Sequence, residues 1–359
     1  MTQAAALAAY GSNSPSNRNR IINGDMRIDQ RNAGASTSVS AGATFYGVDR
    51  FAGFFGASAT GCTTQQASTA PAGFINSFKF AVGTGASSSS GQSAWIGQRI
   101  EGLNVADLGW GTANAKTVTL SFYVYASATG TYCVFLTNSA GDRSYVATYT
   151  ISSANTWEQK TITIAGDTSG TWLTTSGIGV SVRWDLGSGS SYNTATTSAW
   201  QAGDYRNTSS QVNVIGTSSA TFYITGVQLE AGSVATPFER RQYGTELQLC
   251  QRYYTIFRCG TAYGRVLSVA VGTGDSGLIR PTVQLPVRMR AAASSVDYGG
   301  ALYWYNGTAS GAVSAVSIDA ANDTVIGLNC STTGASANQY YMINDYDANT
   351  AYIGINAEL

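Results

Sequence analysis

The sequence contains no histidine, and this absence removes several classes of chemistry. None of its 359 residues can supply the imidazole of a Ser/His/Asp or Cys/His nucleophilic site, a histidine-based zinc site or a proton shuttle near neutral pH. Charge is also scarce, since charged residues make up 11% of the chain, with 20 basic and 20 acidic side chains. A chain without net charge has no strong electrostatic attraction for nucleic acid or anionic lipid, so neither is predicted as a partner.

Cysteine occurs in no pattern that is typical of metal sites or disulfide frameworks. The five cysteines are far apart, odd in number and without any C-x-x-C spacing: Cys62, Cys133, Cys250, Cys259 and Cys330. We expect them to be small buried hydrophobic residues, and we predict no cofactor. No stretch approaches the roughly 18 apolar residues of a membrane span, and no secretory leader is recognisable. Membrane insertion is therefore not predicted, and synthesis in a reducing cytosol is expected.

Glycine and aromatic residues are abundant instead, with 41 Gly, 21 Tyr, 12 Phe and 7 Trp. Alternation with period two, as in TVTLSFYVY, is typical of half-buried strands. The apolar face of this run would consist of Val118, Leu120, Phe122 and Val124. Similar runs separated by Gly, Asn and Ser predict an all-β chain whose main domain is a β-sandwich or jelly roll. Trp157 and Trp184 stand at strand ends and are expected in its core.

The chain divides by composition into four parts. Residues 1–19 are predicted to be an amino-terminal arm or attachment segment, and residues 20–238 a β-sandwich or jelly-roll domain. Residues 239–255 are predicted to form a short connecting helix, and residues 256–359 a second, smaller β domain. At roughly 150 residues per domain, a chain of this length has room for both.

The predicted helix carries a stripe of residues at spacings of four, three and four: Tyr243, Leu247, Cys250 and Tyr254. A helix this short is marginal by itself, and Gly244 costs it roughly 1 kcal/mol, so the stripe needs a packing partner. Two partners stay open: the sandwich of the same chain, or a seam around a molecular symmetry axis.

The segment from Asp185 to Ser210 is too long and too polar for a simple hairpin connection, and long loops in compact domains are often functional. Its aromatic rings and short hydrogen-bonding side chains would suit a sugar ring. The residues predicted to bind a ligand are Trp200, Tyr192, Asn193, Asp204 and Tyr205, together with Trp172 from a neighbouring loop. Two alternatives stay open: the indoles cover the core as a lid, or the segment contacts another chain.

Two motifs resemble nucleotide and calcium sites. Residues 272–277 match G-x-G-x-x-G, but prolines and a strand pattern follow where a dinucleotide site needs a helix, so a nucleotide site is rejected. Asp345, Asp347 and Asn349 have the alternate spacing of a calcium loop, yet the Gly and the bidentate Glu of an EF-hand are missing. An irregular calcium site stays open beside a solvated turn.

Carboxylates are the remaining candidates for acid/base catalysis. A glycosidase needs two of them within roughly 5–10 Å. Those of the sandwich region are scattered over turns and strand edges: Asp142, Glu158, Asp167, Asp185 and Asp204. Carboxylates in turns are usually solvent-exposed groups without a catalytic role, so no catalytic residue is predicted. Polysaccharide cleavage is kept as an alternative.

Several segments together resemble a group of bacteriophage tail fibre and tail-associated virion proteins. Residues 22–32, INGDMRIDQRN, are similar to an amino-terminal signature of that group. Residues 46–51, YGVDRF, are similar to its aromatic-x-x-Asp-Arg-Trp motif, with Phe51 in place of Trp. The most specific match is GVQLEAGSVATPFERRQYGTELQLCQRYY, residues 226–254, and the weaker ones are LPVRMRA and the carboxyl-terminal AEL.

The resemblance implies a homotrimeric virion component with a jelly-roll domain like a carbohydrate-binding module, and the helical stripe is then the expected trimer interface. Other virion proteins would bind the amino-terminal arm, and host-surface glycan would be the ligand. The chain would be made in the host bacterial cytoplasm and act in the virion, as a tail fibre or a tail- or head-associated fibre. A purely structural adaptor or decoration protein and a polysaccharide depolymerase spike stay open as alternatives.

Overall fold

The computed structural model of the protein describes residues 18–259, 264–272, 277–336, 339–345 and 350–359. They form two compact units. The first comprises residues 18–25, Ser38–Phe45 and Gly53–Arg240, and the second comprises Met26–Thr37, Tyr46–Ala52 and the described part of Arg241–Leu359. All but the last two residues of the predicted amino-terminal arm, 1–19, lie outside the described residues.

Two sheets make up the amino-terminal part of the chain. Their strands are β1 (Thr37–Val39), β2 (Phe45–Val48), β3 (Phe51–Phe55), β4 (Cys62–Ala67), β5 (Ser77–Ala81), β6 (Ala94–Glu101), β7 (Val118–Ala126), β8 (Gly130–Thr137), β9 (Arg143–Ile151), β10 (Glu158–Ile164), β11 (Ile178–Asp185), β12 (Trp200–Ala202) and β13 (Thr221–Ala231). The six-stranded sheet has the order β1-β4-β5-β13-β7-β10. The seven-stranded sheet has the order β12-β9-β8-β11-β6-β3-β2.

The core of the first unit lies between these sheets, which confirms the predicted sandwich. The predicted apolar face of β7 is fully buried. From this face the ring of Phe122 contacts the rings of Tyr149 in β9 and Trp184 in β11 edge to face, each at 5.2 Å between centroids. Side chains of both sheets therefore interdigitate in one apolar layer, as in other β-sandwiches.

Of the two tryptophans expected in this core, Trp184 is fully buried there and Trp157 is not. Trp157 is only partly buried, and its ring contacts Tyr125 at 5.5 Å and Tyr223 at 6.3 Å. Tyr125 alternates with the inward-facing residues of β7, so this aromatic group lies on the opposite face of the six-stranded sheet. The prediction for Trp157 was wrong because its strand-end position does not tell which face it takes.

From Arg241 onward, the described residues of the second unit form one helix, α1 (Tyr243–Gln251), and nine strands. The strands are β14 (Tyr254–Arg258), β15 (Arg265–Gly272), β16 (Leu278–Gln284), β17 (Ser295–Gly299), β18 (Leu302–Tyr305), β19 (Ser310–Ala321), β20 (Val325–Thr332), β21 (Tyr340–Asp345) and β22 (Tyr352–Asn356). Strands β15-β16-β20-β19-β18-β21 close into a barrel, and β14-β22-β17 form a separate sheet. The described chain is thus mostly β with one short α-helix, as the sequence predicts.

The helix is shorter than predicted, and its stripe is not a uniform surface. Residues 239–242 precede α1, and Tyr254 begins β14. Cys250 and Tyr254 are 1% exposed within the chain itself, Leu247 is partly buried, and Tyr243 is 57% exposed. Cys250 and Tyr254 are therefore core residues of the second unit, which corrects their prediction as part of a trimer seam. The spacing suggested one continuous helical face, but the helix ends at Arg252, before Tyr254, the last residue of the stripe.

Four segments that carry the family resemblance meet inside the second unit. The guanidinium of Arg50 lies 3.5 Å from the ring centre of Tyr253, and that of Arg31 lies 3.6 Å from the ring centre of Tyr254. Both arginines form ion pairs with Glu358. These contacts are why residues 26–37 and 46–52 belong to the second unit, whereas the sequence assigned them to the sandwich domain of residues 20–238.

The two motifs considered for nucleotide and calcium are only partly described. Residues 273–276, inside the glycine motif, lie outside the described residues, but a strand, β16, follows the motif where a nucleotide site needs a helix. Asp347 and Asn349 also lie outside them, while the carboxylate of Asp345 accepts the N–H of Ala351 at 2.7 Å. Within the described ranges, no group of three or more Cys, Asp or Glu residues is arranged to hold a metal ion.

All five cysteines are buried and none is in a disulfide, as expected from their spacing. In the part of the chain that the structure describes, no helix is both long and apolar enough to cross a membrane.

Candidate functional site

The segment from Asp185 to Ser210 is more ordered than its composition predicts. Ser190–Tyr192 form a 3₁₀ turn, and β12 pairs antiparallel with β9, with Trp200 opposite Tyr145. The segment therefore adds an edge strand to the seven-stranded sheet. A strand of three residues is too short to show an alternation pattern, so sequence reasoning could not find it.

Trp200 and Trp172 contact each other and Trp110. The three indole rings meet edge to face, with centroids 4.8–5.2 Å apart. Each indole N–H donates to a backbone carbonyl oxygen of the same chain, at 2.7–3.1 Å. The structure thus gives these two predicted ligand residues packing contacts typical of a small aromatic cluster.

The other four predicted ligand residues lie close together in the segment: Tyr192, Asn193, Asp204 and Tyr205. Arg206 joins two of them, because its guanidinium lies 3.7 Å from the ring centre of Tyr192 and donates to both carboxylate oxygens of Asp204, at 3.0 and 2.5 Å. Asn193 forms an isolated β-bridge with Asn207. The N–H of Tyr205 donates to the Oγ of Ser144 in β9 at 3.0 Å.

Sequence reasoning missed the sheet residues next to this segment. The guanidinium of Arg183 in β11 lies 4.4 Å from the ring of Trp95 in β6 and 5.9 Å from the ring of Phe135 in β8. Arg206 lies 6.0 Å from the same Phe135 ring. Gly97 is directly opposite Arg183 in β6, and a Cβ there would come within 2.9 Å of the Arg183 Cγ. Glycine at this position therefore leaves room for the arginine side chain to reach Trp95.

The positive charge of Arg183 has few interactions that offset its partial burial. Its buried Nε has no hydrogen-bond partner, and the side chain makes no ion pair with any described residue. Burial lowers the pKa of Arg183 to about 9, and the positive charges of Arg99 and Arg206 act in the same direction. The carboxylate of Asp204 acts in the opposite direction and raises it. Asp204 is already bonded to Arg206. A buried donor without an acceptor costs free energy, which an incoming acceptor oxygen would recover.

A polar cavity of about 210 Å³ lies in the same segment. It is lined by Ser88, Gly187, Ser188, Gly189, Ser190, Asn193, Asn207, Thr208, Ser209, Gln211 and Asn213. Most of these side chains are hydroxyls and amides, which bind sugar hydroxyls as both donors and acceptors.

Asp185, at the end of β11, fixes the wall of this cavity. Its fully buried Oδ1 accepts the N–H groups of Gly187 and Ser188 at 2.8 and 2.9 Å, and the side-chain amides of Asn207 and Gln211. Burial raises the pKa of this carboxyl group. Its Oδ2 and the side-chain carbonyl oxygens of Asn207 and Gln211 are buried without a donor from the described chain. The polar wall of the cavity is therefore held in place by a buried carboxylate.

The signal for the missed residues lies in strand alternation. In GIGVSVRW, Val180, Val182 and Trp184 are buried in the core, so Arg183 takes the opposite face of the sheet. The same parity in AWIGQRI places Trp95 and Arg99 on that face of the neighbouring strand. The register between β11 and β6, which brings these residues together, cannot be read from either strand alone.

A second concave surface, of about 430 Å³, lies on the six-stranded sheet. Phe74 contacts Tyr123 at 5.4 Å and Phe238 at 5.2 Å between ring centroids. Arg240 lies 4.7 Å from the Phe74 ring, and its guanidinium donates to the carbonyl oxygen of Gly73. Unlike Arg183, this arginine already has an acceptor, so the surface is a weaker candidate for binding a polar ligand.

Comparison with known proteins found structural likeness but no sequence family. No protein-family model matches the chain, and no curated protein matches its sequence. Among solved structures, the enzymatically active domain of tailspike protein 4 from bacteriophage CBA120 matches over 60% of this chain and 22% of that chain, at 12% identity and a TM-score of 0.31.

Two further matches are carbohydrate-binding modules. A family 11 module of a cellulosomal cellulase from Clostridium thermocellum matches over 56% of this chain and 97% of its own, at 14% identity and a TM-score of 0.29. A tandem pair of family 22 modules from Paenibacillus barcinonensis matches over 90% of this chain and 99% of its own, at 10% identity and a TM-score of 0.25. Likeness at this level does not decide function.

Proposed function

We propose that the chain is a bacteriophage virion component that binds a host-surface glycan. The binding surface would be the arginine face, by which we mean Trp95, Phe135, Arg183 and Arg206, together with the adjoining polar cavity. The observation that carries the proposal is Arg183, a partly buried guanidinium that stacks on Trp95 and whose Nε has no hydrogen-bond acceptor in the described chain. Aromatic rings beside unsatisfied donors and acceptors are the usual composition of a sugar site.

The placement in a virion rests on the sequence resemblance to tail fibre and tail-associated proteins. We also retain the homotrimer as part of the proposal, with Tyr243 and Leu247 as the residues of the predicted stripe that are not buried. One shallow sugar site binds weakly, and three equivalent sites can raise the apparent affinity by a factor of about a hundred or more. Light scattering tests this part directly: a monomer at micromolar concentration would remove the trimer.

The experiment for the glycan site is retention of the purified chain on bacterial surface polysaccharide. Tyr192→Ala removes the ring under Arg206 and should weaken retention at least about fivefold, as expected for the loss of roughly 1 kcal/mol. Tyr340→Ala is the matched control, because Tyr340 is 75% exposed and belongs to the second unit. Equal retention of both variants would contradict the proposed site.

The same assay separates the two alternatives. New reducing ends in the polysaccharide would favour the depolymerase. Normal virion incorporation without retention on any polysaccharide would favour the purely structural component.

A further inference from the structure

We infer that the arginine face selects an acidic saccharide, one that carries a carboxylate or a phosphate group, over a neutral one. This inference rests on the proposed glycan-binding function and specifies the chemical class of its ligand. The ligand's anionic group would bind the guanidinium of Arg183, and its neutral hydroxyl groups would reach the polar cavity.

The first reason is the balance of charge around Arg183. Its charged neighbours include two cations, Arg99 and Arg206, and one carboxylate, Asp204. That carboxylate is held by Arg206 through two hydrogen bonds. Arg183 itself has no carboxylate partner in the described chain, so its charge is uncompensated at a partly buried site, and an anion stabilises such a site far more than a neutral hydroxyl does.

The second reason is the geometry of the guanidinium. Arg183 stacks on Trp95, and the opposing Gly97 leaves the space that this position requires. A stacked guanidinium keeps its in-plane N–H groups available, and their fork matches the two oxygens of a carboxylate or of a phosphate. The side chain is thus already ordered in the form that binds an oxyanion, which reduces the entropy lost on binding.

Asp185 is the group that would oppose an anion, because it lies two residues further along the same strand. Its Oδ1 is occupied by N–H donors from Gly187, Ser188 and two side-chain amides, and burial favours its protonated form. The donors offset its charge, so it presents less repulsion than a solvated carboxylate would. We therefore place the anionic group of the ligand at Arg183 and its hydroxyl groups near Asp185.

The test measures binding of four probes to the full chain by calorimetry. The probes are an oligogalacturonate, its methyl ester, a phosphorylated mannan oligosaccharide and polyglutamate. We expect the oligogalacturonate or the phosphorylated mannan to bind and the methyl ester to bind at least tenfold more weakly. Arg183→Gln should weaken binding of the acidic saccharide roughly 10- to 150-fold, the range for a charge-assisted hydrogen bond. Arg183→Lys should restore part of it.

Arg288→Gln is the matched control, since it removes the same charge from a side chain that is 74% exposed in the second unit. It should leave binding unchanged. Thermal unfolding of each variant shows that the first unit remains folded.

The outcomes are distinguishable. Binding of only the carboxylate or only the phosphate probe, with the expected dependence on Arg183, identifies the source of the anion. Equal binding of the ester and the acid, unaffected by Arg183→Gln, overturns the acidic preference and leaves glycan binding standing. Binding of polyglutamate with the same dependence on Arg183 overturns selection for a saccharide. Binding of no probe at all contradicts the proposed function as well.

Discussion

Replacing Arg183 by methionine should make the first unit more stable while removing the proposed ligand contact. Since one pKa unit equals about 1.4 kcal/mol, lowering the pKa of this guanidinium from 12.5 to about 9 corresponds to an unfavourable free energy of at most about 5 kcal/mol. Residual contact with water reduces this cost to roughly 2 kcal/mol. The wild type keeps a cation–π contact with Trp95 that the variant loses, and this loss subtracts about 1 kcal/mol from the gain. Methionine can still pack on the rings of Trp95 and Phe135. We therefore expect a net gain of about 1 kcal/mol, or a rise in Tm of about 2–4 °C.

Urea unfolding followed by tryptophan fluorescence is the appropriate assay, because six of the seven tryptophans belong to the first unit. At neutral pH the guanidinium is charged in the folded and the unfolded chain, so its cost is fully present. The cost is relieved as the pH rises through the lowered pKa, so the advantage of Arg183→Met should shrink above pH 9. Arg288→Met is the control and should change stability by less than about 0.5 kcal/mol. Destabilisation of Arg183→Met by more than 1 kcal/mol would refute the reasoning.

Three further predictions concern packing and buried charge. Trp200→Ala should destabilise the first unit by about 2–4 kcal/mol in urea unfolding, and Trp200→Phe by less, because Trp200 packs against two other indoles. Burial raises the pKa of Asp185, so the free energy of unfolding of the wild type falls as the pH rises through that pKa. The difference in free energy of unfolding between Asp185→Asn and the wild type should therefore favour the variant more at pH 8 than at pH 4.5. Glu358→Ala should destabilise the second unit by about 3–5 kcal/mol in hydrogen exchange of β22, because Arg50 loses a buried carboxylate. Adding Arg50→Met to Glu358→Ala should recover much of that loss, and no recovery would contradict the role of the ion pair.

Strand alternation predicted the sandwich core well, since each inward-facing residue of β7 is buried as its parity requires. The same rule could have placed Arg183 and Trp95 on the opposite face of their strands. What the sequence could not supply was the pairing of β11 with β6, which depends on contacts between residues 77 to 90 positions apart.

Composition pointed to a segment that contributes Arg206 and Tyr192 to the candidate site, but it did not separate the segment's two kinds of aromatic residue. Tyr192 and Trp200 both lie in a stretch rich in Gly, Ser and Thr. One ring supports the guanidinium of Arg206, and the other closes an aromatic cluster with its N–H bonded to the carbonyl oxygen of Ala165. Which role a ring takes depends on partners elsewhere in the chain, and these are not encoded by local composition.

The discontinuous second unit has a consequence for the order in which the chain folds during synthesis. Arg31 and Arg50 emerge from the ribosome early, but the rings on which they stack and the carboxylate that pairs with them, Glu358, are made some 200 to 330 residues later. At about 5–20 residues per second, these arginines wait for roughly ten seconds to a minute before their partners exist. Translation speed, and any chaperone that shields the early segments, therefore bear on the yield of the second unit more than on that of the first.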